Sequence, residues 1–517
     1  MSRTFIGDLL IFLSLVVASL AEEKLTNTLF LDDGSVFQVN LTSLHDYSPY
    51  TKRIAIEANS TATFNVTNVS SSASFIIFQI HIYVYNVTLS YDKDNLDKNS
   101  NRSVFGSNVG LFSKVTTNVV TPLYVKNDNV HRVEALLVAI AYNDRSPIPG
   151  GCNMEFNTEI APYTMVQTGD AMITVDVQPA SVPFNSVQPS CEKDVVPVEM
   201  YHMFLTGWDF SVDSYFTAII SMLTVMDIEE NGMQVTSSNV FSPMRRVFSA
   251  YTGIGSVYVA VATYGNYSAA YVPAFSYACH PIVDPDSCKI LPDFLSNFVC
   301  VLCFIVGLLL LYHKFQFDVI IPTFFVGSVI GYAALGTIGS LVMGVSFILM
   351  WITSLYIPIL NRLTLNLTLG WFFGCVVYFS SPESFTIFQN NWLFWIFFVI
   401  FNLGIALIMI LLSDFASFIT CAIFSSFMII LSLDYWIGST LKYIIINFTR
   451  RIAVEGFNLA IIEHPTQTKD ICLIVLWICL AVYHFFKQRA IYLIKKRNND
   501  NRASPFEAAA ENSPLLS

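Results

Sequence analysis

Four cysteines, Cys152, Cys191, Cys279 and Cys288, are the only ones in the first 290 residues of this 517-residue chain. An even number in an oxidising compartment suggests two disulfides, and four cysteines allow three pairings. Their spacing favours Cys279–Cys288, closing a loop around Pro281 and Pro285, which leaves Cys152–Cys191. A zinc site is disfavoured because no His pair stands at ligand spacing beside them. The same region holds seven N-x-S/T sequons, at Asn40, Asn59, Asn65, Asn68, Asn86, Asn101 and Asn266. Each is a glycan acceptor only where it is lumenal and exposed, and a cluster is far more specific than a single match.

Other chemistry-bearing residues give weaker signals. Cys300 and Cys303 have C-x-x-C spacing but fall inside an apolar stretch that reads as a lipid-embedded helix. Intramembrane hydrolysis would need several His with Asp or Ser converging on a metal, and His313 and His484 read as isolated. No catalytic residue, metal ligand or cofactor is expected. At the end of the chain, Glu511 lies four residues before Leu515-Leu516. This is the acidic dileucine pattern, in which a carboxylate meets a basic patch and two leucines enter an apolar pocket of a clathrin adaptor. The expected consequence is endocytosis or endolysosomal delivery.

The elements that must position these residues divide at about residue 290. The whole chain is 54% hydrophobic and 13% charged, with mean hydropathy +0.55. Soluble domains carry roughly 25% charged residues, so part of this chain needs an apolar solvent. Residues 22–290 hold 26 acidic and 14 basic side chains, whereas residues 487–517 hold three and six. An acidic outer face and a basic inner face fit the retention of Lys and Arg on the cytosolic side. No basic stripe with interleaved aromatics is present, so nucleic-acid binding is unsupported.

Residues 1–21 read as a cleaved signal peptide: Arg3, an apolar run from Leu9 to Val17, and the small-x-small exit Ser19-Leu20-Ala21. A retained anchor is the alternative, but the run is short of the ~20 residues needed to span. Period-two patterns then predict strands at 75–89 (a half-buried strand pair), 133–142, 172–177 and 256–264. Turn signals at Pro147–Gly151, Glu230–Gly232 and Gly265-Asn266 separate them. One helix is expected at about 212–225, capped by Ser211 with Asp213 in its first turn. Val138–Tyr142 and Val259–Tyr264 echo each other, each followed by a cysteine. The reading is two β-sandwich-like domains, at 22–160 and 161–290.

Residues 291–487 read as an all-α seven-helix transmembrane domain, with spans near 294–313, 319–338, 341–360, 364–380, 392–412, 414–433 and 470–486. An odd count from an outside N-terminus places the tail, 488–517, in the cytosol. Lys314 and Arg362 then fall inside and Glu383 outside. The loop 434–469 conflicts with this, because it carries Arg450 and Arg451 yet must be lumenal. Its Tyr443–Ile446 stretch reads as a re-entrant or interfacial helix; if it spanned, the count would be eight. Small residues at four-residue spacing, Gly327, Gly331, Gly336, Ser340 and Gly344, allow close helix approach. The alternative is a glycine-lined solute path, for which the test is flux abolished by Gly331→Leu. No charge sits mid-span, which weighs against pumps and channels. Asn402 is the main deep polar group, expected to make a cross-helix hydrogen bond.

Several stretches resemble the transmembrane 7 superfamily member 3 family over nearly the whole chain: FIIFQIH at 75–81 before Asn86-Val87-Thr88, PIPGGCNMEF at 147–156, and SAAYVPAFSYAC at 268–279. GTIGSLVMG at 336–344, the segment from Tyr435-Trp436 to Thr468, and Pro514-Leu515-Leu516 add to these. The resemblance implies a seven-span glycoprotein with its N-terminus outside, associated with cell survival and restraint of the endoplasmic-reticulum stress response. It supplies no ligand or catalytic residue. Rhodopsin-type receptors are not matched, since no Asp-Arg-Tyr follows the third span and no Asn-Pro-x-x-Tyr occupies the seventh. The expected function is a non-enzymatic receptor or scaffold. Its partners would be the bilayer, a lumenal or extracellular protein and clathrin adaptors, at the cell or endolysosomal membrane. A transporter or channel is second, and a metal-dependent membrane hydrolase third.

Overall fold

The computed structural model describes residues 28–511 apart from 42–46, 95, 97–99, 117–120, 185–190, 192–195, 236–243, 290–292, 313–319, 355, 383–384 and 413–414. The expected signal peptide, His313, Lys314, Glu383 and the Leu515-Leu516 pair lie outside the described residues.

Two β-sandwiches precede a helical region. In the first, one sheet runs Leu29–Leu31, Pro49–Ile56, Val133–Asn143, Ala73–Ile82, Asn108–Lys114, and it faces a sheet of Val36–Asn40, Ser60–Thr67, Leu123–Asn127, Val87–Ser90 and Ser103–Gly106. The expected strand pair at 75–89 therefore splits: Ala73–Ile82 and Val87–Ser90 lie in opposite sheets. Ala73–Ile82 is also buried on both faces rather than one. Ile76, Phe78, Ile80 and Ile82 fill the first core. Phe75 and Ile77 join a second cluster with Tyr215, Phe216, Val257, Val259 and Val261 from the following domain. A strand with apolar surroundings on both sides reads as a continuous run, FIIF, not as alternation.

In the second sandwich, Met165–Thr168, Met172–Val177 and Met244–Ser249 face Met233–Val235, Val198–Phe204, Ser256–Tyr264 and Tyr267–Ala270. The echoed segments are equivalent as central strands, and they meet across the domain interface through Leu136, Val138, Ile140 and Val257, Val259, Val261. Their cysteines are not equivalent. Cys152 bonds Cys191 and Cys279 bonds Cys288. The segment from Ile148, assigned to the first domain up to residue 160, bridges to Ser181 and is tied by Cys152 to the second. The single helix expected at 212–225 is two. Val212–Ile220 is capped by Ser211, which accepts from Ser214 N, with Asp213 in its first turn; Val225–Asn231 is capped by Thr224.

Among the described residues, six helices are long and apolar enough to cross a membrane: Asp293–Tyr312, Ile320–Ser354, Pro358–Phe379, Asn391–Leu411, Ala416–Ile437 and the start of Thr468–Glu511. The second folds back at Leu335–Gly336, where Gly336 has φ +68°, so these six helices contain seven apolar segments. The turn comes four residues before the expected Gly339-Ser340 connection. A Cβ on Gly331 would collide with the Gly339 carbonyl, one on Gly327 with Phe347, and one on Gly344 with Phe324 and Ser328. Gly327, Gly331 and Gly344 thus seat the two arms against each other. Gly336 makes the turn and packs against nothing. Ser340, on the second arm, is half-buried.

Candidate functional site

The loop that conflicts with the charge rule forms the junction between sandwich and bundle. Helix Ala416–Ile437 ends at Gly438 in the left-handed conformation, φ +71°. The Asp434 carboxylate then accepts from the amides of Leu441 and Lys442, each at 3.2 Å, so the chain turns straight into helix Tyr443–Ala453. Neither a span nor a re-entrant loop, this helix lies between two layers, with Tyr443, Ile444, Ile445, Asn447, Phe448, Arg450 and Arg451 all buried. Its apolar side meets the bundle: Phe448 stacks on Phe398 at 4.9 Å and meets Trp371 edge-on at 5.5 Å.

Its polar side meets the second sandwich. Tyr443 Oη accepts from Thr252 N at 2.9 Å, Ser249 Oγ donates to Asn447 Oδ1 at 2.9 Å, and the Tyr251 and Tyr443 rings lie 4.7 Å apart. Arg450 donates to the carbonyls of Ala250 at 2.7 Å and Asp170 at 3.0 Å. Arg451 reaches the other way, to Asn391 Oδ1 at 2.7 Å and the Phe388 carbonyl at 3.3 Å, and covers the Phe394 ring. Burial lowers both guanidinium pKa values from the usual range. Carbonyl dipoles and aromatic faces hold these charges, and the guanidinium fork suits that use. The two arginines are therefore structural clamps between the sandwich and the bundle.

Downstream, Ala460–Ile461 pairs in parallel with Val247 and Phe248, adding an edge strand to the second sandwich. Tyr251 Oη donates to the Ile462 carbonyl at 2.7 Å. Glu463 Oε2 stands 3.6 Å from Nε2 of His202, an imidazole buried among Phe204, Phe248 and Tyr258 and lowered by that burial to about 4. Asp470 closes the loop by accepting from Thr440 N at 2.8 Å and Gln467 N at 2.9 Å. Sequence reading missed this site because its residues are scattered over 170–252, 388–391 and 434–470; the one available signal was the out-of-place arginine pair.

Other expected residues fall elsewhere. Asn40, Asn59, Asn68, Asn86, Asn101 and Asn266 are exposed and Asn65 half-buried. Cys300 is buried and bonded through Ser432 and Trp436, without Cys303. His484 is not isolated: it meets Ser425 Oγ and Gln488 inside the bundle. Asn402 packs its amide against Gly370, and Oδ1 has no hydrogen-bond partner, contrary to the expected cross-helix bond. Among the described residues, no three His, Cys, Asp or Glu side chains gather as metal ligands. Glu511 is the last described residue of the final helix. The PGGC and YVPA motifs meet each other. Gly150 takes φ +65° against the Ala161 carbonyl, and its amide donates to Tyr271 Oη at 3.1 Å, which donates on to the Gln178 carbonyl at 2.6 Å.

Comparisons with known proteins follow the same division. Residues 42–142 match the TM7SF3-like N-terminal immunoglobulin-like domain, 147–282 the TM7SF3-like second immunoglobulin-like domain, and 298–489 the TM7S3/TM198-like domain. Transmembrane 7 superfamily member 3 of Homo sapiens is 25% identical over 446 residues, covering 80% of this chain and 77% of that protein. The protein of that name from Rattus norvegicus is 26% identical over 452 residues, with coverage of 80% and 78%. The two sandwiches are therefore immunoglobulin-like domains, and the chain is a multi-pass membrane protein that belongs to the transmembrane 7 superfamily member 3 family.

Proposed function

We propose that this protein is a non-enzymatic receptor or scaffold in which two immunoglobulin-like domains engage a lumenal or extracellular protein and are held to the bundle as one unit. The observation that carries this reading is the contact of Arg450, from the membrane region, with the Ala250 and Asp170 carbonyls of the second sandwich. Such a junction lets force or ordering at the β domains reach the helices, because neither side can move without breaking buried hydrogen bonds. The exposed sequons and the seven apolar segments support an outside N-terminus and a cytosolic tail, with sorting through Glu511, Leu515 and Leu516 to the cell or endolysosomal membrane.

Attenuation of the endoplasmic-reticulum stress response and support of cell survival are the cellular roles we infer from the family resemblance. The test is a stress-reporter assay in cells lacking the protein. Wild type should restore attenuation, whereas an Arg450→Met chain that still reaches the membrane and is glycosylated should not. Full restoration by that variant, or by the bundle alone, would overturn the coupling role. The transporter reading loses its basis where Gly327, Gly331 and Gly344 pack on the other arm of their own hairpin.

A further inference from the structure

A cleft of about 650 Å³ lies between the two sandwiches. Its size is within the ~300–1,000 Å³ typical of small-molecule sites. One wall is the strand Ser103–Gly106, which ends a sheet of the first sandwich. The other comes from the second: the start of Met165–Thr168, which ends a sheet there, and the loop through Glu155, Phe156 and Asn157. That loop is held in shape before anything binds. Asn153 Oδ1 accepts from the amide of Phe156 at 2.9 Å, and its Nδ2 donates to the Phe156 carbonyl at 2.9 Å. The walls are mixed in character. Phe105 and Met165 are exposed, Phe156 stacks on Tyr163 with ring centroids 5.3 Å apart, and Glu155 and Asn157 are exposed beside it. Apolar faces set among a carboxylate and an amide suit a sugar, whose C–H face packs on a ring while its hydroxyls take the polar neighbours.

Asn86 indicates which sugar. It begins the sequon Asn86-Val87-Thr88, is exposed, and lines this same cleft from the first sandwich. Its carbonyl accepts from Asn129 Nδ2 at 2.9 Å, which fixes the backbone from which the side chain starts. A glycan on Asn86 Nδ2 therefore begins at the cleft, with the second sandwich as the facing wall. Thr88, the third residue of the sequon, is fully buried. Attachment must then precede folding, so the glycan is in place when the two sandwiches close on each other.

We propose that the inner N-acetylglucosamine units of a glycan on Asn86 occupy this cleft and form part of the contact between the two immunoglobulin-like domains. Phe105 and Phe156 receive the sugar faces, Glu155 accepts from hydroxyls, and the Asn157 amide donates to ring or acetamido oxygens. A bulky hydrated group over two sheet ends also keeps other chains from pairing there. The inference rests on the lumenal or extracellular placement of the β domains proposed above, and not on the Arg450 junction.

The test uses the full chain, purified from mammalian cells into lipid nanodiscs. Peptide N-glycosidase F is applied to folded and to denatured protein, and glycopeptide mapping follows release at each sequon with time. In the folded protein, release from Asn86 is expected to be about tenfold slower than from Asn59 and Asn266, with equal rates after denaturation. Phe156→Ala, on the facing wall, should bring release from Asn86 to within about threefold of the other two sites. Should that variant fail to fold, Met165→Ala takes its place with the same expectation. Unchanged protection in the folded facing-wall variant would trace it to the turn at Asn86 itself and overturn the proposal. So would a bare Asn86 beside glycosylated Asn59 and Asn266, or wild-type release from Asn86 as fast as from theirs; either result leaves the outer placement of the β domains standing. Glycans at none of the sequons would overturn that placement as well.

Discussion

Arg450 Nη1 donates to the Ala250 carbonyl at 2.7 Å across 200 positions of chain, joining the membrane region to a β-sandwich. Arg450→Met would leave the Ala250 and Asp170 carbonyls unpaired. Charge-assisted hydrogen bonds contribute ~1.5–3 kcal/mol each, so loss of these two should loosen the junction by about 3–6 kcal/mol. Limited proteolysis should cut faster within 455–467. Arg450→Lys should rescue only part of this, because one ammonium cannot span the two carbonyls in a fork. Unchanged cleavage in the Met variant would remove the clamp role.

Acid should weaken the β domains. His202 and His81 are buried neutral, each lowered to about 4 by loss of water, with Asn108 partly opposing this at His81. Between about pH 4 and the ordinary value near 6.5, the unfolded chain binds protons that the folded one refuses. Stability is therefore full above ~6.5 and falls as pH drops towards ~4. Melting followed across that window should show the loss. His202→Phe, placed among three aromatic rings, should remove its share and leave that of His81, so the curve should be about half as steep; an equally steep curve would assign the effect elsewhere.

The two disulfides should differ in weight. Cys152–Cys191 closes a separation of 39 residues and Cys279–Cys288 one of 9. Chain entropy gives about 4 kcal/mol for the first and about 2.6 kcal/mol for the second. Cys152→Ser should lower the melting temperature more than Cys279→Ser; the reverse order would show that loop closure is not what these bonds contribute.

Gly331→Leu should prevent folding of the hairpin, because its Cβ position overlaps the Gly339 carbonyl. The readout is the yield of monodisperse protein in detergent. A variant that folds at wild-type yield would reopen the reading of the glycines as the wall of a solute path.

Endoglycosidase treatment of the cell-derived protein should lower its mass by several glycans, from the six exposed sequon asparagines above all. Asn447 also begins a sequon, Asn447-Phe448-Thr449, yet it is buried and bonded to Ser249. Peptide mapping should find Asn447 bare; a glycan there would mean that the junction does not form.

Composition and local pattern were enough to divide the chain near residue 290, to place the apolar segments and to locate the strands at 172–177 and 256–264. These features depend on hydropathy and on period-two alternation within a few neighbours. The cysteine spacing likewise favoured the pairing that forms. Tertiary structure alone decided the rest. Only packing shows that FIIF lies between two cores, that Gly336 turns a hairpin, and that Arg450 and Arg451 are held by carbonyls 60 to 280 positions away. A guanidinium in water and one clamped between two domains have the same sequence signature. What separates them is desolvation and its compensation by distant partners, which no local window contains.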